Sequence, residues 1–325
     1  MGAPQVHHYV PQFLLDRFKD PEKDLLHVYD KKTDRVFTTS PQNVAAERSF
    51  YEIETDWGKV TAEPGLSALE TIAAGIVEKL VKQESLAGLS TEERVKLSAF
   101  LAVQFSRTRN FRENIEDVNK QMVDRFRSLD IDPNQVENFK VLTEDDVKRF
   151  SIDFMIKSVE EFTPLFVNKL WLLARASTSN PLMLSDNPIA LHNERKFGLY
   201  GNLGLGVPGI EIHFPLSRTL ALQLLCPSFE EHFRKGDALI KLARKKHVKL
   251  DKKARRARRK TIQVIQALET GSPVDLNDQN VVRENYLQIR WGSRFVFSSD
   301  RKFGLVTKML NDTSAYRTGP RSQLA

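Results

Sequence analysis

Leu66-Ser67-Ala68-Leu69-Glu70-Thr71-Ile72-Ala73-Ala74-Gly75-Ile76-Val77-Glu78-Lys79-Leu80 is the stretch that settles the fold class. Leu66, Leu69, Ile72, Ile76, Val77 and Leu80 recur at intervals of three and four, which puts them on one face of a helix starting near Glu63. Further along, Ser90 or Thr91 caps a longer helix with Glu93 in its first turn, and its apolar stripe includes Val95, Leu97, Leu101 and Phe105. Ile131-Asp132-Pro133-Asn134 interrupts the pattern. Another helix starts near Thr143, with Asp146 completing an imperfect capping box, and runs through Phe150 and Phe154 toward Phe162. The middle of the chain is therefore helical.

Toward the N-terminus the texture changes to short strands. Leu25 to Asp30 and Arg35 to Thr38 flank the turn residues Lys31-Lys32-Thr33-Asp34, and Phe50 to Ile53 is a further strand. From Trp171 onward, short apolar runs alternate with Gly, Pro and Asn. Leu182 to Leu184, Ile210 to Phe214, Leu220 to Leu225 and Phe295 to Phe297 are strand candidates, with a loop over Gly198 to Gly209. A basic segment from Pro227 reads as one or two helices ending near Gly271-Ser272-Pro273, and a last helix follows Asp275 or Asn277. The expectation is an α+β fold with a helical central region, short N-terminal strands and a mixed α/β C-terminal half. A single domain over 1–325 is expected, with a mainly helical 1–170 and a mixed 171–325 as the possible subdivision.

Charge is unevenly distributed. Fourteen Lys/Arg stand against Asp237 and Asp251 in residues 234–260, a net of +12, so the rest of the chain carries −5 of the total +7. Arg244-Lys245-Lys246 through Arg255, Arg256, Arg258, Arg259 and Lys260 is nearly free of aromatics. That composition suits backbone phosphate contact better than base stacking and points to nucleic acid as partner. One cysteine, Cys226, excludes an internal disulfide and a cysteine-based zinc site. No apolar run reaches the roughly 20 residues of a membrane span, and the N-terminus lacks the pattern of a secretory signal. The expectation is a cytoplasmic protein without a membrane partner; oligomeric state is left open.

Four polar motifs could carry chemistry. His7 and His8 precede Tyr9-Val10-Pro11 and an apolar anchor through Phe18; on a strand they face opposite ways, so one could act as base or ligand while the other packs. Gln104, Arg107 and Thr108 share a helix face, with Arg109 and Arg112 a neighbouring pair. An arginine fork suits phosphate, or a carboxylate such as Glu70. Ser185-Asp186-Asn187-Pro188 presents a carboxylate, an amide and a hydroxyl between two apolar runs, in an active site or an ordinary Asx turn. Glu211 and His213 share one face of a strand. Phosphate-loop, zinc-protease and nucleophile-elbow signatures are absent.

Together these segments resemble the prokaryotic domain-of-unknown-function family 4238. The resemblance rests on the His-x-Tyr-Val-Pro opening, Phe50-Tyr51-Glu52, the Glu70-bearing helix, the Gln104 to Thr108 element, Ser185 to Pro188, Pro215-Leu216-Ser217, and Asn277 or Asn280. It spans nearly the whole chain and implies no activity.

The functional expectation is a nucleic-acid-acting hydrolase, a phosphodiesterase. His7 or His8 would be its base or ligand and Asp186 a second acid/base, with room for a divalent metal. Arg107 would clamp a phosphate, oriented by Glu70. Gln104 and Asn187 would contact substrate while Arg255, Arg256, Arg258, Arg259 and Lys260 hold its backbone, with His213 in reserve. The alternative is a non-catalytic nucleic-acid- or protein-binding module whose polar motifs are structural.

Overall fold

The computed structural model describes residues 6–55, 58–198, 201–247 and 251–322. In chain order the elements are β1 (Val6–His8), α1 (Gln12–Leu15), β2 (Leu26–Asp30), β3 (Arg35–Thr39), β4 (Ala46–Arg48), β5 (Glu52–Thr55), β6 (Gly58–Thr61), α2 (Glu63–Gln83), α3 (Thr91–Ser106), α4 (Arg109–Ser128), α5 (Glu144–Val167) and β7 (Leu170–Arg175). They continue with β8 (Leu184–Ser185), β9 (Ala190–His192), β10 (Glu211–Pro215), β11 (Leu220–Leu225), α6 (Ser228–Lys245), α7 (Lys252–Thr270), β12 (Val274–Asp275), α8 (Asp278–Trp291), β13 (Phe295–Ser298) and α9 (Gly304–Asp312). The fold is α+β, as expected.

Caps decide the helix boundaries. Ser90 and Glu93 form a full capping box on α3, and Thr143 and Asp146 form one on α5, because the shorter Asp still reaches the Thr143 N–H. The expected continuous helix through Arg112 is instead two. Thr108 leaves the helical conformation and accepts the Phe111 N–H, ending α3 and starting α4. Thr108 is therefore a cap, and Arg109 and Arg112 sit at the start of a new helix. The apolar stripes also shift: Ile72 and Val95 are exposed, while Ala73, Phe100 and Gln104 are buried in their place. α9, β7 and the pairing of β1 with β4 are additions that local patterning did not signal. Only Leu184 of the expected strand Leu182 to Leu184 pairs in β8.

Two sheets organise the core. The larger has the order β12-β7-β11-β10-β9, and the smaller β3-β2-β13-β8. One face of the larger sheet, through Leu173, Leu222, Leu224, Ile212 and Phe214, joins the main core with Phe100 of α3. Its other face is covered at one end by α6 and α7, where Phe229, Phe233, Val264, Ala267 and Leu268 pack on Leu172 and Leu225. At the other end Glu284 of α8 meets His213 of β10 on that face. α8 also packs into the second apolar cluster, in which Ile289 meets Tyr29, Val296 and the α9 residues Val306, Met309 and Leu310. No helix among the described residues is long and apolar enough to cross a membrane.

Candidate functional site

The N-terminal strand is docked, and its two histidines part company. β1 pairs with β4, His7 opposite Glu47 and His8 opposite Ala46. His7 turns inward, stacks on Tyr51 at 5.6 Å, and accepts the Tyr51 backbone N–H at Nδ1 over 3.1 Å. A neutral imidazole accepting at Nδ1 carries its proton on Nε2. Nε2 is buried without a partner. His7 can thus donate a hydrogen bond, but in this arrangement it has no lone pair free to take a proton. His8 is half-buried beside the Gln12 amide at 3.3 Å, and burial lowers its pKa.

A chain of hydrogen bonds runs from this segment into the helices. Gln104 donates to the Tyr9 carbonyl at 3.0 Å and accepts from Arg107 Nε at 2.8 Å; Arg107 Nη1 then donates to Glu70 at 2.6 Å. The Arg107 side chain is 1% exposed, and its Nη2 is buried without a partner. His8 lies within the electrostatic reach of Glu70 and Arg107. Glu63 is raised chiefly by burial and also feels His7, Glu70 and Arg107. His7, His8, Glu70, Gln104 and Arg107 therefore share one neighbourhood. Glu63 joins them unforeseen, because a carboxylate at a helix start reads as ordinary capping in a sequence.

Asp186 belongs elsewhere. It is fully buried in the turn after β8 and accepts the backbone N–H groups of Ser293, Arg294 and Phe295 at 2.7, 2.8 and 3.0 Å, and the Ser293 hydroxyl at 2.9 Å. Burial raises its pKa, against the pull of the Lys31 ammonium and these donors. Asn187 donates to the Trp291 carbonyl at 3.2 Å, and Ser185 and Gln288 bond across the same turn. The Ser-Asp-Asn-Pro motif thus ties β8 to the segment following α8. Lys31, fully buried, donates to the carbonyls of Ile289 and Tyr316 at 2.9 and 2.5 Å, and burial lowers it to about 8.

His213 has a partner that no spacing rule announced. Its Nδ1 faces Glu284 at 2.9 Å, Glu284 accepts from Gln223 at 2.7 Å, and Glu211 accepts from Arg283 at 2.9 Å. Burial works against a charged imidazole, but the Glu284 charge and the hydrogen bonds to Glu211 and Glu284 outweigh it and raise His213 to about 9. Glu211 also resists burial and falls to about 2 beside His213 and Arg283. His213 and Glu284 are sealed between sheet and helix, with Glu211 and the partly exposed Arg283 at the margin. A buried ion pair of this kind holds β10 against α8.

The basic segment folds into two antiparallel helices whose sheet-distal parts carry the charge. Their apolar contacts come from the start of α6 and the end of α7. Lys252, Lys253, Arg255, Arg256, Arg259 and Lys260 are all exposed, and at 100° per residue they cover about 160° of one face of α7. Arg258 falls outside this stripe and is half-buried, so it does not share their face. Asp251 caps α7 by accepting the Ala254 N–H at 2.6 Å, and Gly271 ends it with φ +72°. Residues 248–250, which include Lys249 of the expected basic run, lie outside the described residues. Among the described residues no group of three or more His, Cys, Asp or Glu is placed to hold a metal ion.

The family described as "Protein of unknown function (DUF4238)" matches residues 6–302, which takes in the N-terminal neighbourhood, the Asp186 turn, the His213 group and the basic helices. No curated protein and no solved structure matches the chain.

Proposed function

The chain belongs to the DUF4238 family, and from that premise we propose that this member binds the phosphate backbone of nucleic acid along α7. The observation that carries this reading is the stripe of six exposed cations on one helix face, set on a segment of net +12 against a remainder of −5. Six phosphate contacts on a duplex imply a slope of log K against log salt of about −5. In this reading the buried motifs are locks. Gln104 and Arg107 fasten the N-terminal strand to α2 and α3, while Asp186 and Asn187 fasten the turn after β8.

Fluorescence anisotropy with a labelled 20-base-pair duplex, titrated from 50 to 200 mM salt, tests it. Replacing Arg255, Arg256, Arg259 and Lys260 by Gln leaves two contacts, so the slope falls to about −2 and binding weakens at every salt concentration. An unchanged slope in that variant overturns the proposal.

The convergence of His7, His8, Glu70 and Arg107 favours a second reading, hydrolysis of the bound phosphodiester. His8, half-buried beside the Gln12 amide, would move the proton. Arg107 Nη2 and His7 Nε2, both lacking partners, would donate to the phosphoryl oxygens. Asp186 is engaged by four donors and takes no part. This reading requires cleavage of duplex or single-stranded substrate by the parent protein. His8→Gln then abolishes cleavage at unchanged Tm and unchanged binding; parental turnover in His8→Gln would refute it.

A further inference from the structure

A cleft on the side of the β4–β5 segment opens between residues 47–50 and helices α4 and α5. Its main cavity, about 260 Å³, is lined by Glu47, Arg109, Arg112, Glu116, Glu144 and Lys148, among others. A recess of about 10 Å³, room for one water, shares Phe50 and Arg112 with it and is lined also by Arg107.

The charges in this cleft are not balanced pairwise. Arg109 is paired with Glu47 at 2.7 Å and Glu113 at 2.8 Å. Arg112 and Lys148 form no ion pair among the described residues. Arg112 is held in place by donating to the Phe50 carbonyl at 2.9 Å and the Ser151 hydroxyl at 3.2 Å, with its guanidinium 3.7 Å from the Phe50 ring centroid. Burial lowers both cations, and Lys148 is further lowered by the Arg112 charge. Glu116 and Glu144 also form no ion pair among the described residues, and burial, with Glu113 and Glu144, raises Glu116. Arg112, Lys148, Glu116 and Glu144 thus line one cavity without closing on each other.

One further feature points the same way. α4 opens with Arg109 and Arg112 and has no acidic residue in its first turn. That puts positive side chains at the positive end of a helix dipole, an arrangement an anion would relieve. Two unpaired cations beside a helix N-terminus call for more than a single negative charge, so a dianionic phosphate matches better than a carboxylate. Carboxylates only accept hydrogen bonds, so the Glu116 and Glu144 side calls for hydroxyl or amine donors on the same ligand.

The geometry points to a small phosphate ester bound in this cleft, its phosphate on Arg112 and Lys148, and its hydroxyl or amine groups on Glu116 and Glu144. This site is independent of the α7 stripe.

Thermal-shift and calorimetric titrations with inorganic phosphate, ribose 5-phosphate and unphosphorylated ribose test it on the parent, on Lys148→Gln, Arg112→Lys and Glu116→Gln, and on the α7 variant with four Gln. The expected result is that both phosphates raise Tm and ribose does not. Lys148→Gln then weakens both about tenfold, the loss of one charge-assisted contact. Arg112→Lys weakens both, Glu116→Gln weakens ribose 5-phosphate alone, and the α7 variant binds as the parent does. No response to either phosphate at millimolar concentration overturns the proposal. So does parental binding by Lys148→Gln and Arg112→Lys, or loss of phosphate binding in the α7 variant, which would put the phosphate on the basic helix. Because Lys148 is half-buried and unpaired, its variant is expected to fold, and Arg112→Lys retains the positive charge.

Discussion

Replacing Asp186 by Ala distinguishes a lock from a catalytic carboxylate. The side chain is the acceptor for three backbone N–H groups and one hydroxyl, all in a segment with no access to solvent at Asp186 itself. An alanine leaves the N–H groups of Ser293, Arg294 and Phe295 unpartnered. Each buried unmade donor costs about 1–3 kcal/mol, and a water entering the vacated space would recover part of that. The expected loss is about 3–6 kcal/mol, a large share of the stability of an ordinary domain. Asp186→Asn keeps one carbonyl oxygen but points an NH2 group at donors, so it falls between parent and alanine. Equilibrium urea unfolding reads the difference as a fall in midpoint at unchanged slope. The effect reaches further than the turn, because the segment it holds runs into β13, which pairs with both β2 and β8. If Asp186→Ala unfolds within about 0.5 kcal/mol of the parent, the size of an ordinary surface substitution, the accounting of donors is wrong. Lost turnover in such a stable variant would assign the carboxylate to substrate.

Two other outcomes follow from the geometry. His213, raised to about 9 from 6.5, contributes stability that is complete below pH 6.5 and is lost as pH rises to 9. The swing is on the order of 3 kcal/mol, and His213→Gln is expected to flatten the unfolding midpoint over that window. Its partners act at the other end: Glu211, near 2, and the lowered Glu284 contribute above about pH 4.5 and lose that contribution as pH falls toward 2. A parental midpoint that stays flat from pH 6.5 to 9 contradicts a charged His213. Gly271→Ala is expected to cost about 1–3 kcal/mol, because φ is +72° and a Cβ would stand 2.5 Å from the Ala87 backbone nitrogen. Differential scanning calorimetry against the exposed control Gly75→Ala, where a Cβ meets nothing within 4 Å, isolates that cost.

What local sequence settled is local in its physics. Periodicity and caps placed α2, α5, α8 and the start of α3, because a Ser90–Glu93 box or an Asn277 cap acts within one turn. Short apolar runs between Gly and Pro placed β10 and β11, and the uneven distribution of Lys and Arg marked the basic segment. The break at Thr108 was harder to read, since a threonine between two helical patterns fits a continuous helix equally well until its hydroxyl is seen to accept the Phe111 N–H.

The site was legible only in pieces. His7, His8, Glu70 and Arg107 were visible as residue types, but their meeting depends on β1 pairing with β4 and on Gln104 reaching the Tyr9 carbonyl, 95 positions away in sequence. Nothing in the spacing of Ser185-Asp186-Asn187-Pro188 tells whether Asp186 faces substrate or three amide protons more than a hundred residues downstream. Glu284 became the partner of His213, and Lys148 the neighbour of Arg112, for the same reason. Propensity, capping and charge act over a few residues and can be read along the chain. The partner of a buried polar group is chosen by packing, which brings distant segments together and penalises every donor left unmade.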